Sequence, residues 1–419
     1  MSNTSIKDST RPIIIIGALF FVFGFVTWLG SVLIPYLKIA CELNNFESYL
    51  VAFSFYISYF FMAIPSAMIL KLTGFKRGIS LGLLIMALGT LIFIPAAFAR
   101  DYSIFLIGLF VQGAGLAILQ TASNPYVTIL GPRESAARRI SVMGICNGIA
   151  GIIAPIILGS IILDNTDELQ RQLIGMNLTQ KVAELDILAH RVIIPYLIMA
   201  IILIILSGLT HFSGLPEIDT DHEDQEIAKA NVNKHSILQF PHLLLGVITV
   251  FLYVGVEVIA VDTIINYGVS QGLALSTAKY FSSATLSAML LGYFIGIICI
   301  PKYFSQELAL KVSSVLGILF VLGTLFTQGY VSILFIILLG LSNSLMWPSI
   351  WPLAIADLGR FTKIGSSLLI MGIGGGAILP LIYGHFADTF NPRHAYWIVV
   401  PCYAMIWYFA VYGNKIRRV

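Results

Sequence analysis

The sequence predicts an all-α membrane protein with twelve transmembrane helices, and three observations lead there. Of 419 residues, 58% are hydrophobic and 11% charged, where soluble domains carry about 25% charged residues. Apolar runs of about 20 residues, the length that crosses a bilayer core as a helix, recur twelve times. No segment shows the ten-residue alternation of a membrane β-barrel, and open strands cannot satisfy their backbone groups in lipid. The net charge of +3 is too small to mark a nucleic-acid partner. The expected surroundings are the lipid bilayer.

The runs fall near 13–38, 48–72, 78–98, 103–130, 140–163 and 190–212, then 242–270, 277–300, 308–327, 330–356, 363–386 and 394–413. The longest exceed the bilayer and must tilt, bend or project. The leading residues carry Lys7 and Arg11 and no small-residue cleavage site follows, so the first run reads as a retained helix rather than a removed signal. With the N-terminus inside, 17 of the 24 lysines and arginines fall on inner loops and 7 on outer ones. That excess places both termini in the cytoplasm of a multi-pass protein of the inner (plasma) membrane. Cys41, Cys146, Cys299 and Cys402 have no disulfide or metal spacing and read as packing residues; no metal site is expected.

A polar, largely acidic stretch, "SGLPEIDTDHEDQEIAKANVNKHSILQFP" at 213–241, divides the chain six plus six. The expected domains are an N-terminal bundle, 1–212, a cytoplasmic linker, 213–241, and a C-terminal bundle, 242–419. A second insert at 164–189 reads either as an amphipathic surface helix or as a solvated loop. The halves repeat: "GIAGIIAPIILGS" (148–160) and "IGGGAILPLIYGH" (373–385) superpose Gly151 on Gly376, Pro155 on Pro380 and Gly159 on Gly384 at a shift of 225. The ends of helices four and ten align Gly131 with Gly359. Parallel six-helix halves, related by a pseudo-two-fold axis around a central site, form the major facilitator fold.

Polar groups within lipid are costly and should face a cavity or a neighbouring helix. Helix four carries Gln112, Gln120 and Asn124, the last two sharing a face at a spacing of four. Asn147 stands near the middle of helix five, Trp28 and Ser31 lie on helix one, and Asn343 and Trp347 share a face of helix ten. An amide donates and accepts at once, and so does a sugar hydroxyl, while a sugar's C–H face stacks on an aromatic ring. This set suits a neutral polyol better than an ion; each amide alone also fits inter-helix bonding. Two acids lie deep, Glu257 and Asp262 on helix seven, five residues and about 140° apart. Each fits coupling to a proton or sodium gradient, and each also fits a hydrogen-bond anchor; Glu257 with Tyr253 four residues before it is preferred for coupling or for accepting a sugar hydroxyl. Lys76 and Arg77, Arg138 and Arg139, and Asp357 and Arg360 occupy inner loops, as gating salt-bridge partners between the halves or as simple orientation markers. No serine–histidine–acid, HExxH or phosphate-loop pattern occurs, so no enzyme is expected.

The blocks "GLAILQTASNPYVTILGP" (115–132), "FLYVGVEV" (251–258), "SNSLMWPSIWPLAIADLG" (342–359), "GGGAILPLIYGHFAD" (374–388) and "FFVFGFVTWLGSVLIPYLK" (20–38) resemble the fucose permease and glucose/galactose transporter family of the major facilitator superfamily. The resemblance covers nearly the whole chain and implies sugar import driven by a proton or sodium gradient. Two positions depart: Gly30 and Ser31 stand where the family's first helix reads Asn-Asp, and Gln120 stands where the proton-coupled fucose permease has a glutamate. The glucose/galactose members also carry glutamine there.

These readings converge on a monosaccharide carrier of glucose/galactose or fucose-like type, working by alternating access. Sugar would be held by Trp28, Gln120, Asn124 and Asn147 from one half and by Tyr253, Glu257, Asn343 and Trp347 from the other. Glu257 and Asp262 are the coupling candidates, and no cofactor other than the coupling ion is expected. A single chain supplies both halves, so a monomer is expected. Alternatives are an uncoupled facilitator, a carrier of another small neutral solute such as an amino sugar, and a transport-dead sensor on the same scaffold.

Overall fold

The computed structural model describes residues 10–129, 136–213, 236–300 and 302–416. Among them, twelve helices are long and apolar enough to cross a membrane. The first six are Ile14–Ala40, Leu50–Thr73, Phe75–Ala99, Tyr102–Ser123, Val142–Ile162 and Leu178–Phe212. The second six are Pro241–Asp262, Leu275–Cys299, Gln306–Phe326, Gly329–Ile355, Ile364–Thr389 and Pro392–Lys415. They are called helices one to twelve below. Helix six shows how such an element is built. Tyr196, Met199, Ala200 and Leu203 face the bundle, while Ile194, Ile198, Ile201 and Ile205 are exposed. Both stripes are apolar, because the outer one meets lipid and not water.

Within the N-terminal half, helix one packs on five, and helices two and six flank the three–four pair; in the C-terminal half, seven packs on eleven and ten on eight and nine. Two seams join the halves: helix five against eight, and helix eleven against two. The second is the first transposed by the repeat. The repeat-matched glycines serve these contacts. A Cβ on Gly151 would collide with the Trp28 ring, and one on Gly376 would stand 2.9 Å from the ring of Tyr56 across the seam.

Four helices expected to be continuous are interrupted well inside their runs. Helix one breaks at Leu29, with Gly30 restarting it. Helix seven ends its first run at Asp262 and restarts after Thr263; the Thr263 hydroxyl bonds back to Ile259 O at 2.7 Å. Helix ten breaks at Ser344–Leu345. There Ser342 and Ser344 bond carbonyls three residues earlier, and Pro348 lacks the N–H that would reach Ser344 O. Helix eleven breaks at Ile373–Gly374, where glycine weakens the helix most. The 164–189 insert forms two helices, Thr166–Leu173 and Leu178–His190. The second starts at a capping box, Asn177 with Gln180, and forms the first part of helix six, whose apolar run Ile193–Phe212 follows it.

Candidate solute site between the halves

The wall of the N-terminal half is a set of paired polar groups. Trp28 Nε1 donates to Asn147 Oδ1 at 3.3 Å, joining helix one to helix five. Gln120 Nε2 donates to the Tyr59 hydroxyl at 3.2 Å, joining helix four to helix two. Gln120 and Asn147 are half-buried and keep hydrogen-bonding capacity beyond these bonds. Gln112 serves packing: it is 2% exposed and donates to Thr90 of helix three at 2.9 Å. The Asn124 side chain lies outside the described residues.

On the other wall, the Tyr253 hydroxyl donates to Glu257 Oε1 at 2.8 Å. The Tyr253 ring lies 6.3 Å from Trp347, which stands 5.3 Å from Trp351. Trp28 crosses the seam to join this wall, packing with Val261, Leu286, Met289 and Tyr293. The structure thus brings Trp28, Asn147, Tyr253, Glu257 and Trp347 to the interface between the halves. Asn343 departs from the expected face. Because helix ten breaks directly after it, Asn343 turns to helix twelve, where its Oδ1 accepts from the Tyr403 hydroxyl at 2.7 Å. Its Nδ2 is left without a partner.

The two deep acids differ. Glu257 is bonded to its own helix's tyrosine. Asp262 is 1% exposed, and neither carboxylate oxygen has a hydrogen-bond partner among the described residues. It faces helix one: a Cβ on Gly30 would stand 3.3 Å from its Oδ2. The regular run from Glu257 to Asp262 keeps them on separate faces, as their spacing requires. Ser31 is spent locally, its hydroxyl bonding Trp28 O at 2.8 Å.

The ends of the interface are also unlike. At the end holding the one–two and seven–eight connections, carboxylates bridge the halves. Asp388 of helix eleven accepts from the Asn45 N–H at 3.3 Å, the Asn45 side-chain amide at 2.6 Å and the Phe46 N–H at 2.8 Å. Asp167 accepts from the N–H groups of Leu275 and Ser276 at 2.8 and 2.9 Å. Partial burial works against the Asp167 charge, but bonds from Ser276 and Leu275 outweigh it and hold the carboxyl below its ordinary value. Each half therefore lends one aspartate to cap the short helix that follows the other half's first span. Sequence reasoning missed both residues. The signals available were the capping box of Asn44 with Glu47, which marks a helix start, the acid near the end of helix eleven, Asp388, and the acids in the first turn of the helix after helix five, Asp167 and Glu168.

At the opposite end, Phe20, Val127 and Ile140 face Trp347, Pro348, Trp351 and Pro352 around a void. Of the expected gating residues there, Lys76 is half-buried and Arg77 exposed in the first turn of helix three, which starts after Gly74. Asp357 holds a left-handed backbone, φ 61°. The side chains of Arg138, Arg139 and Arg360 lie outside the described residues, as do Gly131 and most of the 213–241 linker.

Comparison with known proteins agrees with this geometry. The sequence profile of the Major Facilitator Superfamily matches residues 16–363. A glucose/galactose transporter of Brucella abortus is 34% identical over 400 residues, covering 95% of this chain and 92% of that one. The L-fucose-proton symporter of Escherichia coli is 31% identical over 435 residues, covering 99% of both. The crystal structure of FucP, a Major Facilitator Superfamily transporter in the outward conformation, matches with a TM-score of 0.75 at 30% identity over 97% of this chain and 99% of that one. With two six-helix halves, matched seams and relatives aligned end to end, the chain belongs to the Major Facilitator Superfamily and, within it, to the family of glucose/galactose transporters and fucose permeases.

Proposed function

We propose that this chain imports a monosaccharide of glucose/galactose type by alternating access, coupled to a proton or sodium gradient. One observation carries the reading: neutral amides, indoles and a tyrosine–glutamate pair from both halves meet at the interface, while none of the named wall groups is cationic. A sugar offers hydroxyls that replace these paired bonds and a C–H face for the indoles. The relatives named above support the substrate class.

In this reading Trp28, Gln120 and Asn147 grip the sugar from one half, and Trp347, Tyr253 and Glu257 from the other. Glu257 accepts a sugar hydroxyl. Asn124 completes the set, while Asn343, turned to Tyr403 of helix twelve, stays out of it. The aspartate-capped end is the outer one, as the basic-residue bias implies, so the described conformation is closed to the outside. Half-buried Gln120, Asn147 and Trp347 are then reached from the cytoplasm. Lys76, Arg77, Arg138, Arg139, Asp357 and Arg360 bridge the halves when the inner end closes instead. The protein works as a single chain in the inner membrane, with both termini cytoplasmic.

The test is uptake of labelled glucose, galactose and fucose into proteoliposomes, with sodium and pH gradients imposed separately. Accumulation of glucose or galactose against its gradient is expected. Equilibration without accumulation would make the protein a facilitator, and no uptake of any of the three would end the sugar reading.

A further inference from the structure

Asp262 stands out because nothing among the described residues answers its charge. It is the more completely buried of the two deep carboxylates, and both oxygens are unpartnered. An ionised carboxylate in that position costs far more than one hydrogen bond returns, unless something positive or hydrogen-bonding meets it. Among the described residues, ionisable groups that share its surroundings include Tyr49 and Tyr56 from helix two and its approach, and Glu257 from its own helix. None of them is basic.

The surroundings supply oxygen instead. Asp262 lines a small void with Thr27, Gly30, Tyr56 and Gln112, with about 10 Å³ of free volume. That is room for about one water-sized body, so it suits a single small cation and excludes a sugar. The Thr27 hydroxyl is also buried without a partner. Two helical runs end here, helix one at Trp28 and helix seven at Asp262. Carbonyls at these breaks are already spent, Trp28 O on Ser31, Leu29 O on the N–H groups of Val32 and Leu33, and Val261 O on Ser282, which leaves the side-chain oxygens to meet a cation. Gly30 matters by what it omits: a side chain there would enter the space beside Oδ2.

We propose that Asp262, with the Thr27 hydroxyl, binds one monovalent cation, and that this cation couples transport to its gradient. The chemistry is a single positive charge held by a carboxylate and neutral oxygens; a proton and a sodium ion both meet it. The site sits where helix one meets helix seven, so one half cannot rock against the other without opening it. Glu257, already bonded by Tyr253, stays with the sugar. The transport part of this inference rests on the function proposed above, but the binding part does not.

Binding is therefore tested first, without sugar, on the purified full-length protein. Tryptophan fluorescence is followed as sodium chloride replaces choline chloride at fixed pH, and as pH is stepped in sodium-free buffer. Trp28 lies two residues from Gly30 and reports on the site. One of the two cations is expected to change the signal, with the half-saturating concentration raised by about tenfold or more in Asp262→Asn and by much less in Glu257→Gln. Equal responses in the native protein and Asp262→Asn, or no response to either cation, overturn the proposal. In proteoliposomes, Asp262→Asn should lose gradient-driven accumulation yet keep exchange of internal for external sugar. The pair Asp262→Ala with Gly30→Asp, which returns a carboxylate to the same void from the other helix, should restore the cation response. Failure of that pair while it remains folded and exchanges sugar counts against the site; native protein that binds the cation but moves no sugar counts only against the sugar reading.

Discussion

The two ends of the interface between the halves hold together by different physics. At the end assigned to the outside, Asp388 and Asp167 each accept two backbone N–H groups from the opposite half, and Asp388 takes the Asn45 amide as well. At the other end, Phe20, Val127 and Ile140 meet two tryptophans and two prolines with no such bridge among them. Directional bonds hold one arrangement and release it all at once. Apolar surfaces slide, and they tolerate several arrangements at similar cost. The difference teaches where the described conformation is locked and where a solute would leave it.

Removing both bridges should have the largest effect. A helix cap is worth about 1 kcal/mol, so Asp167→Ala with Asp388→Ala removes about 2 kcal/mol from the closed state, which moves the balance of states roughly thirtyfold. Spin labels at exposed Ile174 and Phe390, on opposite halves, would read a new, longer-distance population. An unchanged distance distribution in the double variant would show that the seams of helices five and eight, and two and eleven, hold that end without help from the aspartates.

The opposite end should respond in a different quantity. Trp347→Ala removes an aromatic that packs with Tyr253 and Trp351. Aromatic contacts add about 0.5–1.5 kcal/mol, so the expected result is a KM for sugar raised between about twofold and tenfold, with the label distances unmoved. A shift in those distances would mean that the tryptophans act as a lock comparable to the aspartates, and the contrast between the ends would fail.

The sequence made the coarse answer legible because lipid imposes it. Long apolar runs, basic inner loops and glycines repeated at a shift of 225 follow from solvent and duplication, and the twelve spans lie close to where hydropathy places them. The site was legible by composition and less so by direction. Trp28 and Asn147 do meet, but Gln112 is spent on Thr90 and Asn343 on Tyr403. Those outcomes depend on the breaks at Leu29, Thr263 and Ser344–Leu345, because a face counted at 100° per residue loses its meaning past a break. The aspartate bridges were illegible for another reason: Asp388 and Asn45 are 343 residues apart, and nothing local to either one announces the other.

The smallest effect expected is that of acid on the bridge at Asp167. Its folded carboxyl is held below the ordinary value by the N–H groups of Leu275 and Ser276. A depressed folded value means that the bond's contribution is fully present above the unfolded value, about 3.9 for aspartate, and fades only as pH falls through the lower folded one. Between pH 7 and pH 5 this bridge should therefore stay closed. Asp167→Asn, which keeps the shape but replaces one acceptor oxygen with an amide donor, should raise the opened population about fivefold and by the same factor at both pH values. If acidification from pH 7 to pH 5 opened the native protein to the level of Asp167→Asn, the bridge would have to depend on a group that titrates in that range, and the carboxylate cap at Leu275 would not be what holds the halves together there.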